Sequence, residues 1–118
     1  MDFEIRNNIG TITVDDDVVS RIAGYAALDC YGIVGMASKN SADGLVQLMG
    51  RENLSRGVKV SANGDRVDIE LFIVVEYGLS IAATAQSIIN TVKYKVETLT
   101  GVPVGRVNIR VEDIRVQI

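Results

Sequence analysis

The stretch TVDDDVVSRIAG, residues 13–24, carries three consecutive carboxylates, Asp15, Asp16 and Asp17. Such a triplet can ligate a metal, hold a phosphate through a divalent cation, or start a helix. Metal binding needs several oxygens converging on one point. Successive helix-start residues point roughly 100° apart, and no acidic partner follows at a ligand spacing. The EF-hand pattern is absent. Capping is therefore the expected role. An aspartate at the N-cap accepts N–H bonds that the first turn leaves open, and further acidic residues suit the positive end of the helix dipole.

The rest of the inventory removes chemistry. The chain has no histidine, so Ser-His-Asp, Cys-His and HExxH arrangements are excluded, with the commonest general base and metal ligand. Its one cysteine, Cys30, cannot form an intrachain disulfide or a zinc cluster. Without a histidine to activate it, Cys30 reads as a buried structural thiol. Eleven glycines form neither a dinucleotide fingerprint nor a P-loop. Gly32, Gly35, Gly78 and Gly101 fall at element ends. No catalytic, cofactor or metal residues are assigned, and the expectation is a non-enzymatic protein.

The 118 residues fit one domain, 1–118, and 47% hydrophobic residues suffice for a core. The net charge of −3 disfavours a large nucleic-acid footprint. No secretory signal or membrane-length apolar run is present. A reducing, cytoplasmic setting follows as the expectation.

The elements that must position these residues read from periodicity. IGTITV (9–14) alternates as a strand. Val18, Val19, Ile22, Ala23, Ala26, Ala27 and Cys30 recur at three and four, giving a helix over about 16–30, which Gly32 ends. IVGMA (33–37) is a second strand. Residues 38–57 form a long polar loop, in which Leu45, Val46, Leu48 and Met49 could make a helical turn or two. Asn63-Gly64 signals a hairpin. A turn centred on that pair sets Val60 opposite Val67, Val58 opposite Ile69, Lys59 opposite Asp68 and Ser61 opposite Arg66. Ser80 caps a second helix of about 20 residues, with Ile81, Ala85, Ile88 or Ile89, Val92, Val96 and Leu99 on its apolar stripe. Gly101 and Pro103 stop it. In the last strand Val107, Ile109 and Val111 are in one phase and Ile114, Val116 and Ile118 in the other, which predicts a bulge near Glu112-Asp113.

The order is strand, helix, strand, hairpin, helix, strand. The fold class is α+β: a two-layer sandwich with two main helices on one face of a mixed sheet. Two strand–helix–strand units are expected, each crossing over right-handedly if its strands are parallel. The other sheet face carries the candidate contact residues: Lys59 and Arg66 from the hairpin, Arg106 and Arg110 from the last strand, and Phe72 and Val74 between them. Exposed apolar groups on a sheet mark protein contacts. The alternative is an RNA-binding or regulatory module, since RNA-recognition sheets also combine basic and aromatic groups. The acidic balance, Glu70, Glu76 and the single aromatic weigh against nucleic acid.

RGVKVSANGDRVDIELFIVVEYGLSI and VKYKVETLTGVPVGRVNIRVEDIRV, with the opening GTITVDDDVVSRIAGYAALDCYGIVGM, resemble the alkaline shock protein family of bacterial envelope stress response proteins. The likeness covers nearly the whole chain, with its blocks in family order. It implies a small cytoplasmic protein of envelope homeostasis and alkaline or general stress. It also implies self-association into a homo-oligomer and, for some members, membrane association through a separate membrane-anchored partner. A kinase-like soluble partner is a further option. The family supplies no catalytic residue. Ala82 stands where many members have proline, which bears on the start of the second helix. The absence of charged tails after the last strand is that of the short, housekeeping type.

Overall fold

The computed structural model describes residues 2–37, 48–49 and 56–116. Among these residues seven strands and two helices follow in the order β1 (Asp2–Asn7), β2 (Gly10–Asp15), α1 (Asp16–Leu28), β3 (Ile33–Ala37), β4 (Leu48–Met49), β5 (Val58–Asn63), β6 (Arg66–Glu76), α2 (Ile81–Thr100) and β7 (Val104–Arg115). The class is α+β, as the periodicity requires.

β6 organises the main sheet. One edge pairs in parallel with β7; the other pairs antiparallel with β5 along its first half and with β3 along its second. β3 then pairs with β4. Alternation along β6 turns Val67, Ile69, Leu71, Ile73 and Val75 to one face, where all are buried. Val19, Ala23 and Ala27 of α1 and Ile88, Val92 and Val96 of α2 pack there in one cluster. Both helices therefore lie on the same face of a mixed sheet.

The helix ends follow from local chemistry. Ser80 Oγ accepts from the Ala83 N–H at 3.3 Å, and Gly101 closes α2 in the left-handed conformation. α1 stops at Leu28 rather than residue 30; Cys30 is half-buried beyond it, its thiol donating to the Ala26 carbonyl at 3.4 Å.

Four expectations change. First, β1 precedes the expected first strand and pairs with it as a separate two-stranded antiparallel sheet. Asn7 Oδ1 holds its turn, accepting from the N–H groups of Ile9 and Gly10. β2 thus lies outside the main sheet, so among the described residues only β6–α2–β7 is a parallel crossover. Second, the β5–β6 hairpin exists but its register is two residues away from that expected. Asn63 pairs with Arg66, Ala62 with Val67, Val60 with Ile69, Val58 with Leu71, Lys59 with Glu70 and Ser61 with Asp68. The only positive φ at this turn belongs to Gly64, at 64°, so Gly64-Asp65 are the central residues. A shift of two keeps every side chain on its expected face. Third, Leu48–Met49 pair as a strand instead of turning as a helix; the remainder of the expected 38–57 loop, up to residue 55, lies outside the described residues. Fourth, Val74 is buried.

The phase slip in the last strand is a bulge. Ile73 pairs with Val111 and Val74 with Asp113, skipping Glu112. Ile114 therefore stands opposite Val75, despite its even number.

Candidate interaction surface

The face of the sheet away from the helices is built by the alternate residues of β5, β6 and β7. Three cross-strand rows cover it. Lys59, Glu70 and Asn108 lie side by side, then Ser61, Asp68 and Arg106, and Phe72 lies beside Arg110. The structure thus brings Lys59, Arg66, Arg106, Arg110 and Phe72 onto one face. Lys59, Arg66, Arg106 and Arg110 are exposed and Phe72 is half-buried. Val74 is 0% exposed and offers no contact surface. Alternation along β6 places it correctly on the outer side, but a strand pattern does not report what covers a side chain.

Asp68 ties the rows together. Its Oδ1 accepts from the Arg106 N–H at 3.0 Å and its Oδ2 from the Asn63 side-chain amide at 3.2 Å. That carboxylate occupies a bulge at Gly105, the residue skipped between the Val67–Val104 and Asp68–Arg106 pairs. A Cβ at position 105 would lie 2.6 Å from Asp68 Oδ1, so only glycine leaves the carboxylate its place. Arg66 reaches across to the Val104 carbonyl at 3.5 Å. The Arg110 guanidinium lies over the Phe72 ring, 5.9 Å from its centroid, and Arg110 Nε is 3.6 Å from Glu112 Oε1.

Carboxylates alternate with the cations on this face. Glu70 opposite Lys59 and Asp68 beside Arg106 interrupt the cations, whereas a nucleic-acid backbone favours an unbroken basic track. Aromatic residues and arginine are the residue types enriched at protein–protein interfaces.

The aspartate triplet sits elsewhere, at the start of α1. Asp15 Oδ1 accepts from the Asp17 N–H at 2.8 Å, and Asp17 pairs with Arg21 one turn on, at 2.9 Å. The Asp17 N–H, then the Asp16 side chain, hold the Asp15 carboxyl below the usual carboxylate range. Asp17 in turn raises the Arg21 pKa. Among the described residues no group of three or more His, Cys, Asp or Glu side chains could hold a metal ion.

Residue reasoning missed a groove between the helices, lined by Ile22, Tyr25, Ala26, Asp29, Lys95 and Leu99. Leu99, on the expected apolar stripe of α2, is 66% exposed. Among the described residues no helix is long and apolar enough to cross a membrane.

A five-stranded mixed sheet with two helices on one face, a separate two-stranded hairpin and a polar outer face define a small α+β protein. The chain belongs to the alkaline shock protein 23 family, described by a cell envelope-related function, whose pattern it matches over residues 4–116. It is 44% identical over 117 residues to the uncharacterized protein YloU of Bacillus subtilis (strain 168), covering 98% of each chain. It is 32% identical to the uncharacterized protein Spy1614 of Streptococcus pyogenes serotype M6, covering 98% of this chain and 97% of that one. Stress response regulator gls24 homologs of Streptococcus pyogenes are 31% identical over 106 residues; the match spans 90% of this chain and 59% of theirs. The family description and the gls24 name refer to the cell envelope and to stress response. No solved structure matches the chain.

Proposed function

We propose that this protein is a self-associating, non-enzymatic scaffold of cell-envelope homeostasis or the stress response, and that it contacts a partner protein through its outer sheet face. The observation that supports this reading is the Phe72–Arg110 pair, an aromatic ring beneath an exposed guanidinium at the centre of that face. Arg106 lies exposed four residues before Arg110 on the same strand. Family membership supports the envelope setting. A membrane-anchored partner would bring the protein to the membrane without a spanning helix of its own.

The test is affinity purification from the native bacterium with membranes retained, using the parent chain and Phe72→Asp. Phe72 lies outside the main core cluster, so the variant is expected to fold, which circular dichroism checks. The parent should recover a membrane protein that the variant loses. Equal recovery by both sinks the sheet-face reading. Recovery of a soluble kinase-like enzyme instead replaces the membrane-anchored partner. The RNA reading, through Lys59, Arg66, Arg106 and Arg110, requires salt-dependent binding that weakens in Arg110→Ala.

A further inference from the structure

Strand β7 has an open edge. One side runs along β6, and among the described residues no strand pairs with the other. The ladder determines which backbone groups face outward. Val67 N–H donates to the Pro103 carbonyl and Tyr77 N–H to the Arg115 carbonyl, both at 2.9 Å. Arg106 N–H also turns to the β6 side, onto Asp68. Alternation then points the N–H and C=O groups of Asn108 and Arg110 at β6, and those of Val107, Ile109 and Val111 away from it.

The two ends of this outer edge are closed. Glu97 accepts from the Val104 N–H at 3.0 Å, and Asp113 accepts from the Ile114 N–H at 2.8 Å. The bulges at Gly105 and Glu112 fall at the same places. Between them the stretch 106–111 carries Arg106 and Arg110 on the outer face, and only Val107, Ile109 and Val111 face the core side. It has no lysine, proline or inward-pointing charge, so the edge between the two bulges stays open to pairing.

We propose that a second copy of this chain pairs antiparallel with this edge about a two-fold axis at Ile109, joining two five-stranded sheets into one. This goes beyond the sheet-face reading and does not depend on it. The register follows from charge. Centring the axis on Ile109 sets Val107 against the partner's Val111, Asn108 against the partner's Arg110 and Arg106 against the partner's Glu112. Apolar groups meet on the core side, and opposite charges meet on the outer face, twice by symmetry. A shift of the axis by one residue sets Arg106 against the partner's Arg110, or Arg110 against the partner's Arg110, and like charges directly opposed are unfavourable. The Ile109 register also overlaps the whole open stretch and gives roughly six backbone hydrogen bonds.

Sedimentation velocity across a concentration series, with Arg106→Glu, Glu112→Arg and the double charge swap, tests this. The parent should form a dimer, each single variant should weaken it about tenfold, and the double swap should restore it. In amide exchange, Val107, Ile109 and Val111 should gain protection as concentration rises, while Asn108 and Arg110 stay unchanged. A parent that remains monomeric, a mass that keeps growing past the dimer, or a double swap no stronger than the singles overturns the proposal. Phe72→Asp should leave the dimer intact, so loss of partner capture and loss of dimer are read separately.

Discussion

Asp15 turns its carboxylate back onto the first turn of α1, and one hydrogen bond at 2.8 Å to the Asp17 N–H explains why that residue type stands there. The role was legible from sequence because capping depends only on neighbours within three residues. The same locality explains why Val74 was misjudged, since its burial depends on chain far away in sequence. A pH prediction follows at this scale. The folded-state pKa of Asp15 is depressed, so its stabilisation is complete above the ordinary carboxylate value. It fades as pH falls through the depressed one. Asp15→Ala should therefore lower Tm at pH 7, and the gap to the parent should close in strong acid. A calorimetric gap that stays constant from pH 7 down to pH 2 would show that the carboxylate's charge contributes nothing.

At the scale of elements, the phase slip between Val111 and Ile114 was readable because only a bulge keeps both apolar sets facing the core. The β5–β6 register was less so. Asn-Gly fits a turn with both residues at positive φ, and it also fits one in which only the glycine takes that conformation. The apolar pattern cannot separate the two, because they differ by two residues and share faces. Asn63 here is a strand residue opposite Arg66, and Gly64 alone sits at φ 64°. Gly64→Ala should cost about 1–2 kcal/mol, the penalty of a side chain in left-handed backbone. Asn63→Ala should cost less, losing only an exposed hydrogen bond to Asp68. Chemical denaturation of the two variants compares them directly, and a larger loss at Asn63 would favour the turn centred on Asn63-Gly64.

The whole molecule is unevenly held. β6 lies between β7 and the β5/β3 edge, and its core-facing side chains are at most 2% exposed. The β1–β2 hairpin forms its own two-stranded sheet, an arrangement of marginal stability alone. Phe3, Ile5 and Val14 anchor it by half-buried contacts with the core, while Ile9 and Ile12 at its outer end are 90% and 56% exposed. Sequence reading missed β1 for this reason: with only Phe3 and Ile5 alternating, its signal is too short to stand out from a polar terminus. Two levels of opening should result. Native-state amide exchange should show the hairpin amides opening at lower free energy than those of β6 and β7, which open only with the whole protein. Ile5→Ala should speed exchange in β1 and β2 while leaving β6 nearly unchanged. Ile73→Ala, at a fully buried position, should lower global stability by about 2–5 kcal/mol and speed exchange everywhere. Equal opening free energies in β1 and β6 would mean that the hairpin is part of one cooperative unit with the sheet.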